Sequence, residues 1–505
     1  MLTAQSINLR KPLFERLYFL IPAIILTALV ATFALELTGF LLAGILFAYF
    51  WKHKDRLVLF LIIYTPFEEV VLKILPDSLY GPARYFWEGM LFAMLGLMIL
   101  DKCILSRQWK KSVIDVLVLV FIIAWFLSGF INNIPIFFSL ASIKNLIRYI
   151  AIFYIVYNLK PDKKFLSKAI FSIITIAVIQ SVICIGQAIE GDKLVEVFRP
   201  KDVVVGNLQL TYQDIQRETY YSRFTGTLSR SNHLGNYLTF ALCFLIAVYF
   251  KIGKNSKYLI AIALIIIALF FSSSRISWIS AFIGIGAIHF IIRHRFRLFY
   301  LILPLLFILM MARGNPFVKT DNLSEHFSIL NRFYHIFTVE YIDLVKYTGR
   351  GYALLYAMPK VLTTSPIFGL GPGSFIPMTG HIMESEVFDK ADDLELERKS
   401  LTYVHDVGYA ALFIQVGLIG AFVFILMFIH FFKMAKRTLK FIKDPIVQTL
   451  SLGSLGFFVA VGIQNLATFN FMYRNESLII WTVCGFIALF SKTYRKKISG
   501  SISEK

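Results

Sequence analysis

Long apolar runs separated by short clusters of charge organise this chain. LYFLIPAIILTALVATFAL (17–35) and FVFILMFIHFF (422–432) are two of the runs. Neither alternates with period two, and neither shows the polar stripe of a helix lying on a soluble core. A helix needs about 20 mostly apolar residues to cross the hydrocarbon core, and by that length the pattern predicts about fourteen spans. They start near Leu17, Leu37, Leu57, Pro82, Val113, Ile143, Phe165, His233, Tyr258, Ile276, Leu298, Tyr403, Ile446 and Ser477. The expected fold is an all-α polytopic membrane protein. The run 17–35 lacks a small-residue cleavage site and is expected to stay as the first span.

Composition agrees with that reading: the 505 residues are 57% hydrophobic and 16% charged, with a mean hydropathy of +0.69. The net charge of +20 raises the question of nucleic acid, and its distribution answers it. With the N-terminus placed in the cytoplasm, every loop on that side is basic: WKHKDR, DKCILSRQWKK, NLKPDKKFLSK, KIGKNSK, RHRFR, KMAKRTLKFIK and the tail SKTYRKK. This is the positive-inside pattern, so both termini are expected in the cytoplasm. The basic charge then serves topology and attraction to anionic lipid, with no nucleic acid implied. Cys103, Cys184, Cys243 and Cys484 are too scattered to suggest a disulfide or metal framework.

The same topology leaves two long outer segments, 190–232 and 313–402. The second reads as an ordered cap: an apolar helical stretch from Tyr352 to Leu362, the turn SPIFGLGPGSF, then the acidic run ESEVFDKADDLELERKS. That run reads as a solvated helix face, with metal binding a lesser alternative. The expected organisation is spans over 1–312, a cap over 313–402, and the last three spans with the tail over 403–505.

Ionisable groups inside spans cost about 2.5–3.5 kcal/mol each at a helix centre, which makes each one a functional candidate. Arg84 and Glu88 lie four apart and are able to neutralise each other on one helix. Lys144 and Arg148, also four apart, repel, and would welcome an outside anion. Arg275, in FFSSSRISW, sits in a turn between two short spans. Arg223 and Arg230, in YSRFTGTLSRSNHLGNYL, approach their span from the same outer side, and Arg350 stands in the cap. Arginine matches phosphate oxygens bidentately and keeps its charge, so the expected ligand is a diphosphate at the outer boundary. Separate interfacial anchors snorkelling to headgroups are the plainer alternative. The stretch TYVHDVGYAALFIQVGLIG (402–420) adds His405 and Asp406 at the mouth of a span.

Three of these stretches resemble the bacterial O-antigen ligase and O-antigen polymerase family. They are R-x-x-G-x-L-x-x-x-N from Arg223 to Asn232, the pair Ser274–Arg275, and Arg350 followed by SPIFGLGPGSF and by His405 ahead of Gly417 and Gly420. The family's histidine is usually followed by a small amide or hydroxyl residue, where this chain has Asp406, and the spacers after Arg350 and His405 are slightly long.

The resemblance implies a GT-C-like fold of about 12–14 membrane helices with a helical extracytoplasmic cap, in the bacterial inner membrane. It implies an inverting, metal-independent transfer of glycan from a polyprenyl-diphosphate donor to a sugar hydroxyl at the outer face, without a cofactor. Its partners would be that donor, an acceptor glycan or lipid-linked glycan, membrane lipids and a chain-length regulator protein. His405 becomes the candidate base, because imidazole titrates near neutrality; His381 is a weaker one. Arg223, Arg275, Arg350, Arg148 and Lys144 become candidates to hold the diphosphate. Asp406, Asn232 and Arg230 support them, Asp406 as a helix cap or as a partner for the ring. GLGPGSF is no P-loop, since no Lys-Ser/Thr follows its glycines. Polymerase is favoured slightly over ligase. A lipid-linked-sugar transporter is the rival of another class, expected to show inverted repeats or paired broken helices, which the sequence does not reveal.

Overall fold

The computed structural model describes residues 35–105, 109, 111–201, 203–205, 208–210, 224–293, 349–373 and 406–503. It divides into two compact units, 1–57 and 58–505. In the first, α1 (Leu35–Lys52) ends in a stacked pair, Phe47 and Trp51, with Lys54 Nζ 3.9 Å above the Trp51 ring. Helix α2 (Lys54–Tyr64) begins just beyond it.

The second unit is built almost wholly of helices. In chain order they are α3 (Glu68–Ile74), α4 (Asp77–Ile99), α5 (Val113–Ile131), α6 (Ile136–Leu146), α7 (Ile150–Asn158), α8 (Lys163–Glu190) and α9 (Asp192–Phe198). After a two-stranded antiparallel hairpin, β1 (Val203–Val205) and β2 (Leu208–Leu210), come α10 (Ser231–Lys251), α11 (Ser256–Phe271) and α12 (Arg275–Arg293). The chain continues with α13 (Gly349–Tyr352), a π-helical turn (Ala353–Ala357), α14 (Met358–Thr364), α15 (Gly408–Phe441), α16 (Pro445–Gln464) and α17 (Arg474–Ser503). Seven helices among the described residues are long and apolar enough to cross a membrane, or eight if the bent pair α6–α7 counts as one span. This is a multi-pass helical membrane protein. The spans expected near Leu17 and Leu298 lie outside the described residues.

The core forms where α10, α12 and α16 pack on one another, flanked by α8, α15 and α17. Small residues permit the close approach: a Cβ on Gly284 would lie 2.9 Å from the Gly456 carbonyl oxygen, and one on Gly453 would lie 2.5 Å from Phe244. Such contacts between small residues are how membrane helices pack without a hydrophobic drive between them.

Two helices are interrupted. The span expected from Ile143 is in fact α6 and α7, bent by 54° across a short break that holds Arg148. Helix α15 is broken at Gly417, whose φ of 61° and ψ of −162° are not helical. The turn 365–373 fills that second break. Leu370 N donates to Ile414 O (2.7 Å), Gly371 N to Gln415 O (3.2 Å), and Leu418 N to Pro366 O (2.8 Å). Gly373 N donates to the Gln415 side chain at 2.9 Å, and Asn132 of α5 reaches Gly369 O at 3.1 Å. Backbone freed inside an apolar layer must find partners in the protein, and here a Gly-rich turn supplies them. A Cβ on Gly417 would strike the Ile367 carbonyl, besides facing a positive φ. Gly417→Ala is therefore expected to lower stability by about 1–3 kcal/mol, read as a fall in the melting temperature of the purified protein in detergent.

Three of the basic loops meet at one end of the bundle. Lys163, opening α8, lies 2.6 Å from Asp444, which caps α16, and Lys251 at the end of α10 feels the charge of Lys443. Burial pushes the Asp444 carboxyl up, but the Lys163 ammonium and the N–H groups of Val447 and Ile446 outweigh it. The net position is below the ordinary carboxylate range. A lowered value means the contribution to stability is complete above about pH 4, the unfolded value, and is lost as pH falls through the folded one. Asp444→Asn is expected to flatten the acid side of the melting-temperature profile, at a cost below about 1 kcal/mol at neutral pH because the pair is half-exposed.

Candidate functional site

The opposite end of the bundle gathers the N-termini of α10, α12, α15 and α17 with the C-termini of α8, α11 and α16. The described parts of the three sequence stretches singled out above lie here. The first, entering α10, is held by two glutamines of α8. Gln187 Oε1 accepts from Thr225 N (3.2 Å) and Gly226 N (2.9 Å), and its Nε2 donates to Gly226 O (2.9 Å). Gln180 grips Thr227 through both its backbone N–H (2.9 Å) and its hydroxyl (2.6 Å). Gly226 has a φ of 58° and no room for a Cβ against Gln180, while Leu228 is buried. The glycine and leucine of that stretch thus shape the turn that delivers Arg230 to the N-cap position of α10, where its side chain makes no cap bond. Asn232 lies half-buried in the helix's first turn, and Arg223 lies outside the described residues.

The second stretch turns through Ser273, left-handed at φ 54°, into Arg275 at the start of α12. Its serines join a buried polar chain. Ser274 Oγ and Ser277 Oγ are 2.7 Å apart, and Ser277 donates to Asn236 of α10 at 2.9 Å. Asn236 donates to Asn470 (3.0 Å), Asn470 to Gln464 (2.8 Å), and Gln464 to Ser280 (3.0 Å). A fully connected network of this kind fixes the register of three helices, since each unmade bond would leave a buried polar group unsatisfied.

The third stretch brings Arg350 to Asp406. Arg350 Nη2 donates to Asp406 Oδ2 at 3.0 Å, and the Tyr473 hydroxyl donates to Oδ1 at 2.8 Å. Asp406 is not the helix cap expected of it: Val407 occupies that position without a side-chain cap bond. The carboxylate is taken up by Arg350 and Tyr473 instead, and both are charged or strongly polar donors that outcompete a backbone N–H. Burial first, and the Asp406 carboxylate next, push the Tyr473 phenol above its ordinary range, so it stays a donor. Arg230 and Arg350 both act electrostatically on that hydroxyl. The Tyr473 ring in turn meets His233 of α10 edge-on at 4.2 Å, and His233 Nδ1 lies 2.9 Å from Glu476 Oε1 of α17. His405 and His381 lie outside the described residues, as does the acidic part of the cap.

A second ionic cluster adjoins through Arg474. Its Nη1 is 2.6 Å from Glu68 Oε1 and its Nη2 is 2.9 Å from Glu88 Oε1. Arg148 Nε stands 3.2 Å from Glu88 Oε1, and Lys144 Nζ 3.4 Å from Glu88 Oε2. Arg84 pairs with Glu69 at 3.4 Å. Two expectations change. Glu88 serves Lys144, Arg148 and Arg474 from other helices, in place of Arg84 four residues before it. Lys144 and Arg148, expected to await an outside anion, have their counter-ion inside the protein. The physical reason is the break between α6 and α7, which turns Arg148 inward against α4.

Sequence reasoning passed over Tyr473, Arg474, Glu476, His233, Glu68 and Glu69. The polar run NFMYRNES (470–477) between two apolar spans was the available signal, because such groups are costly wherever they enter a membrane. No protein-family model matches this chain, and no curated protein is similar to it at a significant level.

Proposed function

We propose that this chain is a membrane glycosyltransferase. In this reading it moves glycan from a polyprenyl-diphosphate carrier to an acceptor sugar hydroxyl at the outer face of the bacterial inner membrane, as O-antigen polymerases and ligases do. What supports the reading is one observation: stretches far apart in sequence, each resembling the family, lie at the end of the bundle opposite the Lys163–Asp444 pair, where Arg230 and Arg350 act on the Tyr473 hydroxyl that binds Asp406 and Arg275 opens the helix whose Ser277 bonds Asn236. Arg275 and Arg230 hold the departing diphosphate. Arg350 shares its charge with Asp406 and fixes the residue beside His405, the base that takes the acceptor proton. Repeat-unit polymerisation is the leading activity, and transfer to a lipid core or protein is the second form of the same chemistry.

A transporter of lipid-linked sugars retains one observation in its favour. The breaks in α15 and between α6 and α7 are the interrupted helices that the sequence did not reveal, and transporters place such breaks at their ligand sites. Purified protein in vesicles, given a polyprenyl-diphosphate-linked repeat unit, decides between them. Glycan longer than the donor's supports polymerisation; movement of donor between leaflets without a new glycosidic bond overturns the enzyme reading. In the same assay Arg275→Lys is expected to lose at least about tenfold in transfer, since lysine cannot reproduce a bidentate grip. An arginine that merely anchors the helix in the interface would tolerate the change.

A further inference from the structure

Glu88 faces three cations at once. Lys144, Arg148 and Arg474 stand 2.9–3.4 Å from its two oxygens, and none of these contacts has the geometry of a hydrogen bond. Glu68 also faces Arg474, and Glu69 faces Arg84. These carboxylates and guanidinium groups act on one another across the whole cluster. Among the described residues it holds four cations, Arg84, Lys144, Arg148 and Arg474, against three carboxylates, Glu68, Glu69 and Glu88. One positive charge is left over. Such a surplus is costly away from water until an anion answers it.

The surplus is reachable from outside. Lys144 keeps 43% of its side-chain surface and Arg84 keeps 27%. Lys144 Nζ lies 4.5 Å from the centre of the half-exposed Tyr85 ring. Gly89, Ala93 and Gly96 follow Tyr85 at helical spacing along one face of α4, and all three are exposed. A Cβ on Gly89 or Gly96 would meet no atom of the described residues within 4 Å. A shallow apolar track therefore leads away from the cations along α4. A charged head joined to a long hydrocarbon tail fits that combination. The cluster also adjoins the site described above, because Tyr473, which holds Asp406, and Arg474, which holds Glu68, are consecutive.

Repeat-unit polymerisation joins two lipid-linked glycans. One gives up its diphosphate carrier, while the other offers a hydroxyl and keeps its carrier throughout. The first calls for cations aimed at charge that develops on a leaving group. The second calls for a standing anion site with room for a tail. Its grip must also be moderate, since the elongated product has to move on. Four cations offset by three carboxylates supply such a grip. We propose that Lys144, Arg84 and the Gly89–Ala93–Gly96 face of α4 hold the diphosphate and polyprenyl chain of the acceptor, an inference that rests on the polymerisation reading above.

The test follows transfer by the full-length protein in vesicles from one labelled lipid-linked donor to two acceptors. They are the lipid-linked repeat unit and the same repeat unit without its carrier. Wild type is expected to prefer the lipid-linked acceptor in kcat/KM. Lys144→Gln is expected to cut that preference by about ten- to hundredfold, the worth of a hydrogen bond to a charged group. Gly89→Leu, which fills the track at an exposed position, is expected to cut it in the same sense. An equal loss on both acceptors, or a wild type without the preference, overturns the acceptor site and leaves the transferase reading standing. Wild-type protein that transfers to neither acceptor overturns that reading, and the site with it. Should Lys144→Gln fail to elute as folded protein, Ala93→Leu on the same exposed face takes its place in the comparison. A photoreactive polyprenyl diphosphate separates the carrier from ordinary lipid. It is expected to label α4 or α6, with protection by polyprenyl diphosphate and little by phosphatidylglycerol. Equal protection by the two makes the cluster a contact for any phospholipid headgroup and overturns the proposal.

Discussion

His405→Ala is expected to lower glycan transfer by about 10²–10⁴-fold, the range for loss of a positioned general base, while the purified protein elutes and melts as the wild type does. The argument has two parts. An acceptor hydroxyl is a poor nucleophile at neutral pH until its proton is taken, and an imidazole titrates in the right range to take it. The residue after it, Asp406, is held from two sides just before α15, by Arg350 at 3.0 Å and by Tyr473 at 2.8 Å. Catalytic groups need such support, because small misplacements of a reacting group cost large factors in rate. Tyr473→Phe removes one of the two holds and is expected to lower kcat by a smaller factor with KM little changed. Turnover by His405→Ala within a few-fold of wild type would remove the base from His405.

Glu88→Ala is expected to be the most destabilising of the substitutions considered, at about 3–5 kcal/mol. The Glu88 carboxylate is only 3% exposed and stands between Arg148 and Arg474, exposed by 12% and 9%, with Lys144 at the rim. Removing it leaves two buried guanidinium groups facing each other without their shared anion. Glu68 still answers Arg474, but Arg148 keeps only a hydrogen bond to Asn145, at 2.8 Å, among the contacts described for it. The measurement is thermal melting in detergent or lipid nanodiscs. A double variant, Glu88→Leu with Arg148→Leu, is expected to recover much of the loss, because a buried ion pair replaced by apolar groups of similar size is often tolerated. Equal melting of Glu88→Ala and wild type would mean that water or lipid headgroups reach these cations. Glu69→Gln is the control: its carboxylate is more exposed and its ion-pair partner, Arg84, lies nearer the surface, so a loss below about 1 kcal/mol is expected.

The chain's class was legible because membrane insertion is decided locally. Each run of apolar side chains declares its own helix, and each basic loop resists translocation on its own account. The arginines were legible for the same reason, since a charge beside a span stands out without knowledge of its neighbours. Gly417 and the glycines of GLGPG stood out as turn residues, yet their joint use did not: only the fold shows the turn 365–373 lying against the unwound carbonyls of α15. A carboxylate at a helix mouth caps by default, one of the two roles expected of Asp406, but its partners are Arg350 and Tyr473, 56 and 67 residues away.

The sequence by itself determined a polytopic helical membrane protein, the charge asymmetry of its loops, and which residues were too polar for their surroundings. Tertiary structure alone decided who neutralises whom. Glu88 answers Lys144, Arg148 and Arg474 from three separate elements. Hydropathy is a property of each segment and survives without the fold. The partner of a buried charge is set by helix rotation and by the breaks that turn a side chain inward, and those are fixed only when the helices pack.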